Sequence, residues 1–138
     1  MRLVAWHAFS ALITLEIAGN AVLAGWALLA DLRKRSAMST TFWTVVLLVV
    51  LLVAVQAAAG IVLVVGGSRP QAPLHFLYGI LVAVGASLQF GMRPAGRLRR
   101  TMLRDLASSG REPRALALLC LTQAALLARA YTTGAFGR

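Results

Sequence analysis

Acidic residues are nearly missing from this chain: its 138 residues hold four Asp and Glu against 14 Lys and Arg, and charged residues of both signs make up 13%. An ordinary soluble domain carries roughly 25%. With 59% hydrophobic residues beside so few charges, a water-soluble fold is excluded. Cysteine is limited to Cys120, so no disulfide can close within the chain. Two histidines, His7 and His75, cannot supply a zinc module of usual spacing. No Cys-x-x-Cys-His run is present for covalent haem attachment. No Ser/His/Asp, Cys/His or metal-hydrolase arrangement can be assembled from these residues, so no independent catalytic activity is expected. At roughly 20 apolar residues per helical span, the length admits at most about five or six spans and no separate soluble domain.

What the chain does have is a net charge of +10 and long apolar runs. On a soluble protein that charge would suggest nucleic acid. Here the basic residues avoid the apolar runs and collect between them, so the charge reads as an orientation signal for a bilayer and no nucleic-acid partner is expected. Four runs stand out: Leu3 to Ala30, Phe42 to Val65, Leu74 to Met92, and Ala115 to Tyr131. They predict an all-α, integral membrane four-helix bundle in a single domain, spanning the inner (plasma) membrane. Arg33, Lys34 and Arg35 follow the first run and only Arg2 precedes it, the wrong way round for a cleaved signal peptide. The loop from Arg93 to Arg114 is basic, and the turn from Gly66 to Pro73 carries only Arg69. The positive-inside rule therefore predicts both termini outside, with 93–114 as the inner loop.

Within that inner loop, Leu98, Met102, Leu103 and Leu106 fall within about 140° of arc at helical spacing, opposite Arg97, Arg100 and Arg104. A short amphipathic helix on an anionic leaflet and a solvated basic loop both fit this pattern.

The informative residues of a membrane protein are the polar ones inside it, since a charge at the centre of a span costs about 2.5 to 3.5 kcal/mol on insertion scales. Here they are His7, Glu16, Asn20, Gln56, His75, Gln89, Gln123 and Arg129. His7 and His75 each lie near the outer start of a span, and each shares its helical face with small residues: Ala11, Thr14, Ala18, Ala21 and Gly25 for His7, and Gly79, Val82 and Ala86 for His75. Such faces let backbones approach or leave a slot for a flat ligand. Two imidazoles on facing helices can clamp haem iron, which makes haem b the economical cofactor, with His7 and His75 as the metal ligands. Arg129 and Arg69, at the same level, suit pairing with haem propionates, and snorkelling to lipid phosphate is the alternative. Cys120 lies on the order of 20 Å from the histidines at 1.5 Å rise per residue, too far to join them.

Glu16 and Asn20 share one face of the first span, about 180° from His7 at helical spacing, so both sets cannot point at one centre. Glu16 is either a proton-handling carboxylate or a partner for a neighbouring helix. Gln56, Gln89 and Gln123 read as interhelical hydrogen-bonding residues, and Cys120 as an inert buried residue.

The run from His7, through Gln56 and Gly60 in VQAAAGIVLVVGG, to His75 in PLHFLYGIL resembles one four-helix half of the haem A synthase family. That resemblance implies haem held between histidines on alternate helices, with a Gln four residues before a Gly on the helix between them. Val4 stands where the family's synthase half is similar in having a carboxylate, so haem holding is implied rather than haem A synthesis, in a monomer or in a homodimer restoring eight helices. Three functions follow. The first is a haem-b protein for electron transfer or haem handling, as an accessory subunit of a respiratory complex or alone. The second, from a resemblance in size and in its one first-span carboxylate to small multidrug-resistance transporters, is a proton-coupled transporter using Glu16. The third is a purely structural membrane subunit.

Overall fold

The computed structural model describes residues 10–69, 72–102 and 111–136, which are helical with no strands among them. Five helices follow in order: α1 (Ser10–Leu32), α2 (Thr40–Val65), α3 (Leu74–Gly91), α4 (Arg97–Met102) and α5 (Glu112–Phe136). All but α4 are long and apolar enough to cross a membrane. The second and third expected spans match α2 and α3 to within two residues. The fourth begins three residues earlier than expected and ends five later. Of the expected first span, residues 3–9 lie outside the described residues.

Local chemistry explains the helix ends. Ser39 caps α2, its hydroxyl accepting from the Phe42 N–H at 3.2 Å, which satisfies one of the orphan donors of the first turn. At the other end Gly67 takes φ +86° while the Ser68 N–H reaches back to the Leu63 carbonyl and the Gly67 N–H to Val64. This is the left-handed stop that glycine favours. α1 stops in the same way but without a glycine: Lys34 sits at φ +54°, and the Arg35 N–H bonds the Ala30 carbonyl. A side chain in that region costs about 1 kcal/mol or more. Lys34→Gly is therefore expected to raise the unfolding free energy in detergent by about 1 kcal/mol, read from the denaturation midpoint.

The four long helices form a ring in the order α1, α2, α3, α5, with α5 closing on α1. Neighbours run antiparallel. Asp31 near the end of α1 pairs with Arg114 at the start of α5, at 3.2 Å. His75 at the start of α3 meets Ala130 near the end of α5, and Trp26 on α1 packs edge-on to Phe42 on α2 with ring centroids 5.7 Å apart. The basic stretch 33–39, residues 92–102 and Arg111 thus lie at one end of the bundle, the basic end.

The buried stripe of α1 is Ile13, Glu16, Asn20, Leu23, Ala27 and Ala30, alternating three and four residues apart, the spacing of helices packed side by side. Lipid tails are as apolar as leucine, so packing and hydrogen bonds hold such a bundle together. Toward the basic end the core is apolar, built from Leu23, Ala27, Phe42, Trp43, Val46 and Leu116. Leu48, Leu51, Val55, Ile61 and Val62 of α2 face outward, an apolar surface suited to lipid. Part of the basic loop is helical: α4 folds back beside α3, with Leu98 resting on Gly91, where a Cβ would collide with it. Leu103, Arg104 and Leu106 of the expected amphipathic helix lie outside the described residues.

Candidate functional site

Halfway along the bundle the apolar core gives way to polar side chains from three helices. Asn20 donates its amide N–H to the Glu16 carbonyl at 3.0 Å. Because a backbone carbonyl only accepts, this bond fixes the amide with Oδ1 turned toward the bundle centre. Gln89 of α3 then presents its Nε2 to that Oδ1 at 2.7 Å, and to the Cys120 sulfur of α5 at 3.5 Å. The bond from Gln89 to Asn20 crosses the ring from α3 to α1. Gln123 of α5 is fixed in the same manner, its Nε2 donating to the Val82 carbonyl at 3.0 Å. Its Oε1 lies against Gly85, where an added Cβ would displace it.

Each amide nitrogen of this layer thereby donates to at least one named acceptor, and oxygens are left over. Gln89 Oε1, Gln123 Oε1 and both carboxyl oxygens of Glu16 are buried with no hydrogen-bond partner among the described residues. Their residues are 2%, 1% and 1% exposed. A buried polar atom left unpaired costs about 1 to 3 kcal/mol, and an accumulation of such atoms in a native fold marks a role beyond packing. Glu16 takes part in no ion pair among the described residues.

The two faces of α1 are now distinguished. Glu16 and Asn20 lie on the buried stripe, whereas Ala11, Thr14, Ala18, Ala21 and Gly25, the small residues expected to flank a ligand slot with His7, are exposed. This corrects the expectation that the small-residue face lies inside: burying it would turn the Glu16 carboxyl and the Asn20 amide into lipid. His7 itself lies outside the described residues. His75 is half-buried at the end away from the basic loops, its Nδ1 3.0 Å from the Ala130 carbonyl. Nδ1 must donate there, which leaves the lone pair of the neutral ring on Nε2. Gly134 lies so close that an added Cβ would stand 2.8 Å from the ring. An oriented imidazole of this kind fits an axial haem ligand. Arg129 is exposed with its guanidinium 5.6 Å from the centroid of the Tyr78 ring, and Arg69 is exposed in the turn after α2. Gln56 is half-buried and follows Val49 and Val53 on the inward side of α2. Among the described residues no three His, Cys, Asp or Glu side chains cluster to hold a metal.

Sequence reasoning missed a second polar centre at the basic end. Arg99 of α4 grips Glu112 at the start of α5 through two bonds, Nη1 to Oε1 at 2.9 Å and Nη2 to Oε2 at 2.7 Å. The same guanidinium lies 5.7 Å from the centroid of the Trp43 ring. An acid in the first turn of a helix favours the helix dipole, and Glu112-Pro113 ahead of an apolar run was the available signal.

Fold and site together define a helical bundle with four helices able to cross a membrane and a polar layer across its middle. No family model, no curated protein and no solved structure matches the chain.

Proposed function

We propose that this chain is a small multi-pass membrane protein that couples proton binding to the movement of a cationic solute, with Glu16 as the working group. The observation that carries this reading is the Glu16 carboxyl itself: 1% exposed, on the central stripe of α1, with neither oxygen hydrogen-bonded among the described residues. An intramembrane carboxyl is expensive and usually marks an ion or proton path. In this reading the basic end faces the cytoplasm and both termini lie outside. The test is uptake of ethidium into proteoliposomes under an imposed proton gradient. Wild type accumulates the dye, Glu16→Gln does not, and Glu16→Asp retains part of the activity; uptake unaffected by Glu16→Gln removes the proposal.

The anchoring of His75 favours a second reading, haem b ligated by His75, the one candidate axial ligand among the described residues. Haem would supply one-electron chemistry. His75 would hold the iron, its ring fixed by the Ala130 carbonyl, and Arg129 and Arg69 would pair with the propionates. Protein purified with haemin is then expected to show a Soret band that His75→Ala abolishes, and colourless wild-type protein counts against this reading.

A further inference from the structure

The leftover atoms of the central layer are all of one kind. Two backbone carbonyls, those of Glu16 and Val82, set the orientation of the Asn20 and Gln123 amides, and Asn20 sets that of Gln89. None of the three amides can be turned around without facing carbonyl against carbonyl. On α1, α3 and α5 the buried atoms of this layer without a partner among the described residues are all oxygens: one carboxyl group and two amide carbonyls. Such a set repels anions and suits a hard cation. Its single carboxylate balances one positive charge, which favours a monovalent ion.

Register brings the donors to similar depth. Asn20, Gln89 and Cys120 are in direct contact. From that level Glu16 is one turn away along α1, about 6 Å, and Gln123 is about 4.5 Å away along the antiparallel α5, both toward the end opposite the basic loops. The described charged side chains sit elsewhere: Asp31 with Arg114, Glu112 with Arg99 and the cations of the two basic stretches at the basic end, and Arg129 over Tyr78 and Arg69 after α2 at the other. The titratable groups on the packed elements are Cys120 from α5, which receives the Gln89 amide, and, further toward the opposite end, His75 and Tyr78 from α3 and Tyr131 from α5. α2 contributes Val53 and Gln56, which do not titrate.

We infer that Glu16, Gln89 and Gln123 form a binding site for a dehydrated monovalent metal cation of the sodium class, for which the proton competes at the Glu16 carboxylate. The inference rests on Glu16 being the working group proposed above.

The test is thermal unfolding of the full chain in detergent, in sodium, potassium or choline chloride at equal ionic strength. Sodium raises the midpoint of wild type in a saturable manner relative to choline, and the rise shrinks in acidic buffer. Glu16→Gln abolishes the sodium effect. Gln123→Leu, which preserves an apolar bundle, weakens the apparent sodium affinity by about tenfold or more. Midpoints that are the same in all three salts, or a sodium effect that survives in Glu16→Gln, overturn the site. Should Glu16→Gln not fold, the affinity change in Gln123→Leu decides, and an unchanged affinity overturns the site. Sodium binding without ethidium uptake upholds the site and removes transport. Uptake that depends on Glu16 in a protein indifferent to sodium removes the site and upholds proton coupling.

Discussion

Arg99→Ala is expected to lower the unfolding free energy of the solubilised protein by about 3 to 5 kcal/mol, the cost of breaking a buried ion pair by removing one partner. The magnitude follows from the asymmetry of the pair: the Glu112 side chain is 1% exposed and that of Arg99 is 21% exposed. Removing Arg99 strands a carboxylate that water cannot reach. Removing Glu112 strands a guanidinium that can partly rehydrate and still has the Trp43 ring beside it. Glu112→Ala is therefore the milder change. The double replacement Arg99→Met with Glu112→Leu recovers most of the loss, because well-packed apolar side chains replace a buried pair at little cost. Denaturation midpoints of the three variants test this order. If Arg99→Ala costs less than about 1 kcal/mol, the pair behaves like a surface salt bridge and does not fasten α4 to α5.

Why this pair escaped sequence reading, while the spans did not, is a matter of which forces are local. A long apolar run in lipid has to satisfy its backbone within itself, which leaves the helix as the answer for a single segment. Ser39, Gly67 and Pro73 then mark ends through turn chemistry alone. Arg99, by contrast, is one of seven arginines between Arg93 and Arg114, and no spacing singles out the one that turns back onto Glu112. The contact of Asn20 with Gln89 joins residues 69 apart, and helical periodicity carries no information about partners at that distance.

The inward face of α1 was half legible. Its two candidate stripes, Ala11–Ala18–Gly25 and Ile13–Glu16–Asn20–Leu23–Ala27–Ala30, both suit close packing, the first by small size and the second by its three-four spacing. What decides between them is the cost of turning Glu16 and Asn20 toward lipid. Weighed that way, the polar residues were the stronger signal, and the small residues are where α1 can face the bilayer without penalty.

Glu16→Leu is expected to stabilise the protein, by about 1 to 3 kcal/mol, while abolishing uptake. A residue kept for packing loses stability when replaced. Glu16 has no side-chain hydrogen bond among the described residues to lose. Its one contribution to the network, the carbonyl that accepts from Asn20, belongs to the backbone and survives the substitution. Leucine is of similar size and removes two buried acceptors, each left unmade at about 1 to 3 kcal/mol, against whatever space its branched end fails to fill. Gain of stability with loss of activity is the pattern of a functional group held at a structural cost. The readouts are the thermal midpoint in choline chloride, where no small metal cation supports the wild type, and dye uptake in proteoliposomes. A fall in midpoint for Glu16→Leu would show that the carboxyl has stabilising partners in the bundle, and the case for Glu16 as a working group would then lose its main observation.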